Sequence, residues 1–300
     1  MNGVNVEVEI KKVDKLKRII KVSLNGEDFI KERNDAYIEI GKNLKVSGFR
    51  QGSAPLEILE RNHGKVLKEE FLRRALPLYY EKTLKDNNLL PAGLPRIYDV
   101  EFDKKSLKFS AEFDVKPELE IEDSDYKGIK IKDKKLEIKE EEVEKVLTNL
   151  KEGIKKAINK DLADEELAKW AGYPNIGEFR QAIKAEINTE KLRERRRNID
   201  SQVSQQLLKT IKVDLPKEEV QRYHKELMER EIYNLRSRNI SEEDIEKYKK
   251  DLEEKLMPFA EDEVRLFYIL EAIARKEGIK VENNLGEVVL GLILSFAQYE

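Results

Sequence analysis

Residues able to do covalent chemistry are few in this chain and share no pattern. His63 and His224 are its only imidazoles, they belong to no common motif, and each reads as a surface or capping residue rather than a general base. There is no cysteine, which excludes disulfides, thiolate nucleophiles and Cys-based zinc sites. Carboxylates are abundant, but the runs Glu140-Glu141-Glu142 and Glu242-Glu243-Asp244 fit helix starts, where negative charge complements the dipole. No glycine-rich phosphate loop of the P-loop or dinucleotide type is present. The run Arg193-Glu194-Arg195-Arg196-Arg197 contains no aromatic residue for base stacking and includes a glutamate, so it reads as a solvated helix face. Catalytic residues, metal and cofactor are therefore all expected to be none. What remains is binding chemistry, concentrated in Gly48-Phe49-Arg50-Gln51-Gly52-Ser53-Ala54-Pro55. Two glycines four residues apart permit positive φ and a sharp turn, and Pro55 keeps the residue before it out of helix. Such a turn pushes Phe49 and Arg50 outward, and aromatic and Arg side chains supply most interface hot spots.

The octapeptide resembles the ribosome-docking loop of the trigger factor family, ribosome-associated chaperones whose pattern there is Gly-Phe-Arg-x-Gly-Lys-x-Pro. Gly48, Phe49, Arg50, Gly52 and Pro55 match it. Ser53 stands where the family usually has Lys, and Gln51 stands at a frequently basic position; both departures remove positive charge and point to a weaker grip or a differently charged target. The resemblance extends upstream to Val4–Ile10 and Arg18–Leu24, similar to the family's two opening strands. Downstream it includes the turn Leu90-Pro91-Ala92-Gly93-Leu94-Pro95 and the closing strand from Phe109 to Glu118. Lys212-Val213-Asp214-Leu215-Pro216 resembles the entry to an arm of the C-terminal domain. The resemblance implies a ribosome-binding site at Gly48, Phe49, Arg50, Gln51, Gly52, Ser53 and Pro55. It also implies two partners: the ribosome, through protein and RNA at the exit tunnel, and unfolded or nascent polypeptides. Family members normally leave this path near Ile158 to build a prolyl isomerase domain of the FK506-binding type. Here Asp161-Leu162-Ala163 follows almost at once, too soon for a domain of about 50 residues or more, so a short form without that module is expected.

Composition agrees with a binding protein of extended build. The 300 residues are 40% charged and 39% hydrophobic, a thin core supply that favours an elongated, helix-rich shape over a compact sphere. Net charge is −3 overall. Residues 1–117 hold 23 Lys and Arg against 19 Asp and Glu, a surplus of 4 positive charges that leaves −7 for the rest. A basic front half suits an RNA-rich surface. No basic segment leads into an apolar run at Met1-Asn2-Gly3-Val4, and Val288–Ala297 is far short of the ~20 residues that span a bilayer; no membrane partner and a cytoplasmic location are expected.

The elements that must position the loop follow from periodicity. Val6, Val8 and Ile10, then Ile20, Val22 and Leu24, alternate as half-buried strands. Phe29, Arg33, Tyr37, Ile40 and Leu44 define an amphipathic helix ending just before the loop. A short helix from Pro55 to about Asn62 is expected to stop at Gly64, and a third, from Val66 through Phe71 to Leu84, to be bent or interrupted at Pro77. Strands at Ile97–Phe102 and Leu107–Val115 complete an α+β N-terminal domain with helices packed on an antiparallel sheet, over residues 1–117. Residues 118–159 read as a linker, with Glu140–Ile158 a charged helix or part of that linker. Residues 160–300 read as an elongated all-α domain with helical arms. There, Ile176–Ile211 is a helix with apolar ends and a polar middle, and Asp214 with Pro216 opens another. Ser241 with Asp244 starts one that meets Pro258, resumes, and stops at Gly278. Leu285–Glu300 is apolar on nearly every face.

Helices polar in their middle leave apolar ends, so Ile199, Val203, Tyr233, Leu235, Ile240, Leu292 and Phe296 are the candidate client-binding residues. An open final helix would also serve self-association, so a homodimer is among the expectations. Two readings stay open: an ATP-independent chaperone at the ribosomal exit tunnel, or a ribosome-independent cytosolic holdase or assembly factor with the same fold, which Gln51 and Ser53 favour. A prolyl isomerase with an unrecognised site is the enzymatic rival.

Overall fold

The computed structural model describes residues 4–133, 136–280 and 284–300; Met1–Gly3, the chain start read above, lies outside them. In chain order the elements are β1 (Asn5–Lys12), β2 (Lys17–Asn25), α1 (Glu27–Gly41), α2 (Leu56–Asp86), β3 (Arg96–Phe102) and β4 (Ser106–Asp114). Then follow β5 (Lys130–Ile131), α3 (Glu140–Ile158), α4 (Asp164–Trp170), α5 (Ile176–Thr210), α6 (Lys217–Ser237), α7 (Glu242–Lys276), α8 (Leu285–Ser295) and β6 (Gln298–Tyr299). They form two compact units, residues 1–119 with 213–268 and residues 120–212 with 269–300.

In the first unit, β1, β2, β4 and β3 make an antiparallel sheet in that order. Each hairpin is turned by an aspartate. Asp14 accepts from the backbone nitrogens of Leu16 (2.9 Å) and Lys17 (2.7 Å), and Asp103 from those of Lys105 (2.6 Å) and Ser106 (2.7 Å), an Asx turn in both cases. The register places Ile20, Val22 and Leu24 opposite Ala111, Phe109 and Leu107. That alternation sends one face of the sheet into the core against Phe29, Tyr37 and Ile40 of α1 and Leu59, Leu67 and Phe71 of α2. The Phe71 ring meets Phe29 and Tyr37 edge to face at 6.2 and 6.0 Å. Each such side chain, fully buried, stabilises the fold by about 1.5–3 kcal/mol before entropy is counted.

The helical path is interrupted next to the expected stop at Gly64: His63 has non-helical φ −134° and ψ 20°, so α2 is two helices joined across a kink, and its second part runs through Pro77. Pro258 likewise lies inside α7. Both prolines are exposed, so water can satisfy the carbonyls their rings leave without an N–H. His224 is not a surface residue: it is buried, with Nε2 3.1 Å from the carbonyl oxygen of Glu253, in the turn before Pro258. Around it, Val220, Leu227, Ala260, Val264 and Tyr268 form the core between α6 and α7. Ser241 caps α7 as expected, its Oγ accepting from the Asp244 nitrogen at 3.2 Å.

In the second unit, Glu140–Ile158 is a helix outright. Val143, Leu147, Phe179, Ile183 and Leu167 of α3, α5 and α4 share a core, and Asn175 caps α5 by accepting from the Glu178 nitrogen at 2.9 Å. The α7 end is closed by Gly278 (φ 68°), with the Ile279 nitrogen donating to the Ala274 carbonyl at 2.8 Å, a Schellman-type stop. The last helix is shorter than expected. α8 ends at Ser295, and Gln298–Tyr299 pairs in parallel with Lys130–Ile131. The nitrogens of Gln298 and Glu300 donate to the carbonyls of Ile129 and Ile131, both at 2.9 Å, a better outlet for that backbone than another helical turn. Only Val289 and Ile293 of α8 are buried, so the helix is covered along one stripe rather than all round. No helix among the described residues is long and apolar enough to cross a membrane.

Candidate binding loop and its relatives

The loop between α1 and α2 is fastened at both ends and free at its tip. Gly41 ends α1 where a Cβ would collide with Leu59 of α2, so the two helices approach closely and residues 42–55 must turn at once. Val46 is buried, and Leu44, Ala54 and Leu56 pack partly against the same core. Between these anchors lie two tight turns, closed by Phe49 N donating to Val46 O (3.1 Å) and Ser53 N donating to Arg50 O (3.0 Å). Gly48 and Gly52 take φ of 85° and 81°, the region where L side chains are strained. The Ser53 hydroxyl adds a hydrogen bond to the Arg50 carbonyl at 2.6 Å. Where the trigger factor pattern has a lysine, this chain thus has a residue that stiffens the turn.

The tip presents what the sequence requires of it. Phe49 is 41% exposed, and Arg50, Gln51, Gly52, Ser53 and Pro55 are exposed as well. Arg50 has no ion-pair partner among the described residues. An exposed ring beside an unpaired guanidinium can pack on an apolar patch while pairing with a carboxylate or phosphate.

Two supports of the loop were not legible in the sequence. His63 Nε2 lies 3.1 Å from the Lys45 carbonyl oxygen, so the α2 kink holds the incoming strand of the loop. Arg33 is 5% exposed, contacts Glu60 at 2.9 Å and stacks 5.1 Å from the Tyr37 centroid, while Lys104 reaches Glu60 from the β3–β4 turn at 2.7 Å. This network ties α1, α2 and the sheet together near the loop's base. The signal for Arg33 was its place on the apolar face of α1, a position where a charge must find a partner.

The candidate client-binding residues separate into groups. Tyr233 is 69% exposed, Ile240 38% exposed and Leu235 half-buried; all three sit at the α6–α7 turn of the first unit. Phe296, 39% exposed, and the half-buried Leu292 lie near the end of α8 in the second, with Lys127 Nζ 5.0 Å from the Phe296 centroid. Ile199 and Val203 are buried on α5, which packs against β5 and α8. The Arg193–Arg197 run is internally matched: Arg193 and Arg197 reach Glu190, Arg196 reaches Asp200 and Arg195 reaches Asp133. Among the described residues no cluster of His, Asp or Glu is placed to hold a metal.

Comparison with known proteins decides the family. The model of the bacterial trigger factor protein matches residues 6–150, and that of the bacterial trigger factor C-terminus matches residues 175–285. The chain belongs to the trigger factor family. Trigger factor from Streptomyces avermitilis is 36% identical over 119 residues, 39% of this chain and 25% of that protein. Trigger factor from Natranaerobius thermophilus is 33% identical over 143 residues, 47% of this chain and 32% of that protein. The matched stretch thus spans a third or less of either relative. A solved structure from work on promiscuous substrate recognition in folding and assembly activities of the trigger factor chaperone superposes with a TM-score of 0.53, covering 96% of this chain and 93% of that one. At 15% identity it shows a shared fold. In this chain, the interval between the two family matches, residues 151–174, holds only the end of α3, the helix α4 and their connections.

Proposed function

We propose that this chain is a ribosome-associated, ATP-independent chaperone of the cytoplasm that shields nascent polypeptides at the exit tunnel. The observation that carries the reading is the double-turn loop, with Phe49 and Arg50 held outward and unpaired. In this reading Gly48, Gly52, Ser53 and Pro55 shape the loop, Phe49 is desolvated on docking, and Arg50 forms a charge-assisted pair with the ribosome. Gln51 contributes a polar rim contact.

Clients are held weakly at several apolar points among abundant charge. Tyr233, Leu235 and Ile240 on the α6–α7 turn, with Leu292 and Phe296 on α8, are the contacts proposed. Ile199 and Val203 join them only where α5 loosens. The division of labour follows sequence: residues 1–117 supply the address, 118–159 connect, and 160–300 hold clients. Release needs no nucleotide, because a client that buries its own apolar surface leaves. The short interval 151–174 supports a chain without prolyl isomerase catalysis.

Co-sedimentation with ribosomes tests the docking. Replacing Phe49, Arg50 and Gln51 together by Ala should abolish it with circular dichroism unchanged. Undiminished binding by that variant would sink the loop assignment, whereas no co-sedimentation by the unaltered chain would favour the ribosome-independent holdase, which the lost charges at Gln51 and Ser53 already support.

A further inference from the structure

The sheet of the first unit has two edges, and only one of them is blunted. β3 carries a register shift between Tyr98 and Glu101, with Asp99 at φ 51°, an irregularity of the kind that keeps a further strand from pairing. β1 lies at the opposite edge and pairs with β2 alone. Its 8 residues hold one register, from Asn5 opposite Asn25 to Lys12 opposite Arg18, with no shift and no proline.

The hairpin turn shows which backbone groups of β1 face outward. Val13 N donates to Lys17 O at 3.0 Å, so that pair is hydrogen-bonded, and in an antiparallel ladder hydrogen-bonded pairs alternate with non-hydrogen-bonded ones. Continued along the register, the alternation directs the backbone groups of Lys11, Glu9 and Glu7 toward β2. Those of Val6, Val8, Ile10 and Lys12 face away from it. Ile10 is 37% exposed. On the polar face of the strand, Glu9 meets Lys21 at 3.4 Å between two exposed side chains, a pair worth little in water. Lys11 has no ion-pair partner among the described residues.

We propose that this edge pairs with the same edge of a second copy of the chain, antiparallel about a two-fold axis through Ile10, to make one continuous sheet. In that register Ile10 exchanges backbone hydrogen bonds with Ile10 of the partner subunit, and Val8 with Lys12 of the partner subunit. Glu9 stands opposite Lys11 of the partner subunit, and the symmetry repeats the pair. Both pairs fall at non-hydrogen-bonded positions, where side chains lie closer. Neighbouring registers fail on charge: sliding by two residues sets Glu9 against Glu9 in one direction and Lys11 against Lys11 in the other. Sliding by one sets the apolar face of one strand beside the polar face of the other. The occupant is a second copy because β1 is complementary to itself. Two strand edges alone bury less than the ~1,200 Å² of a stable interface, so the dimer is weak and depends on concentration. The docking loop stays outside the contact, since Glu60 at its base reaches Lys104 of the β3–β4 turn, beyond the other edge. The proposal therefore goes beyond ribosome docking and does not depend on it.

The test is sedimentation equilibrium of the full chain over a concentration series. Wild type should show a monomer–dimer equilibrium. Glu9→Lys and Lys11→Glu each set like charges opposite one another twice, and each alone should weaken the dimer about tenfold. Mixed in equal amounts, the two variants should associate about as tightly as wild type, because they complement each other where each opposes itself. The mixture also controls for any loss of monomer stability. Lys12→Pro removes an N–H that faces outward and leaves the ladder with β2 intact; it should weaken the dimer as well. A wild type that stays monomeric at every concentration overturns the proposal and leaves the edge to an extended strand of another protein. Dimers untouched by the single variants place self-association elsewhere, the final helix included, and overturn it too. So does a mixture no tighter than its components.

Discussion

His63 Nε2 stands 3.1 Å from the carbonyl oxygen of Lys45, which makes the kink of α2 a brace for the loop carrying Phe49 and Arg50. His63→Ala should therefore weaken ribosome co-sedimentation several-fold, while thermal stability falls by about 1 kcal/mol or less, the net worth of one ordinary hydrogen bond. Binding equal to wild type would mean that the loop holds its shape without the brace.

The loop glycines give a sharper test, because their φ values of 85° and 81° are positive. Gly48→Val has space for its side chain, since nothing lies within 4 Å of a Cβ there, so any cost is backbone strain of about 1–2 kcal/mol. Chemical denaturation should show that loss, and ribosome binding should fall further as the turn reopens. A neutral effect on both would sink the two-turn account of docking.

Acid sensitivity is expected in the second unit. Side-chain hydrogen bonds from Lys127, then Lys276, hold the Asp123 carboxyl down to about 2, from an ordinary value of 3.8. A depressed carboxylate contributes stability above its unfolded value and loses it as pH falls through the folded one, so the loss belongs between about pH 4 and 2. Asp123→Asn should flatten the urea midpoint across that window. At the alkaline end, burial and then Glu277 push Tyr126 up to about 12. Its contribution is complete below the unfolded value near 10 and is lost as pH rises toward 12. Tyr126→Phe should remove that limb.

Packing and client contact should separate by mutation. Leu207 is fully buried, and Leu207→Ala should cost about 2–5 kcal/mol in unfolding free energy. Tyr233→Ser, at an exposed site, should change stability by under about 0.5 kcal/mol yet reduce aggregation suppression. The held client should resist salt, as apolar contacts do. The reverse pattern in the suppression assay would place the client surface elsewhere.

Prolyl isomerisation should be absent. A protease-coupled assay on a short proline peptide should give the uncatalysed rate at any concentration of the purified chain. An enhancement that scales with the protein would show a catalytic pocket outside the interval 151–174.

The loop and the sheet were readable because they rest on local rules. Alternation at Ile20, Val22 and Leu24 set a face, and glycine spacing at 48 and 52 set two turns. What escaped depended on partners distant in sequence. Pro77 and Pro258 read as interruptions because a sequence does not show which side of a helix faces water. His224 read as surface because the carbonyl it meets belongs to Glu253. Ile199 and Val203 read as apolar ends open to clients because β5 and α8, which meet α5, lie in other segments. The final helix read as longer because its release into β6 requires the Lys130–Ile131 edge.

That last pairing sets an order of events in time. Lys130 and Glu300 pair across 170 positions, and the chain alternates between the two units, with 120–212 made between parts of the first and 213–268 between parts of the second. At a synthesis rate of about 5–20 residues per second, the first part of each unit waits many seconds for the segment that closes it. During that wait the apolar groups that only the later segments cover, Leu119 of the α6–α7 core among them, are themselves exposed apolar chain at a ribosome. The newborn protein passes through the condition of the clients it is proposed to protect.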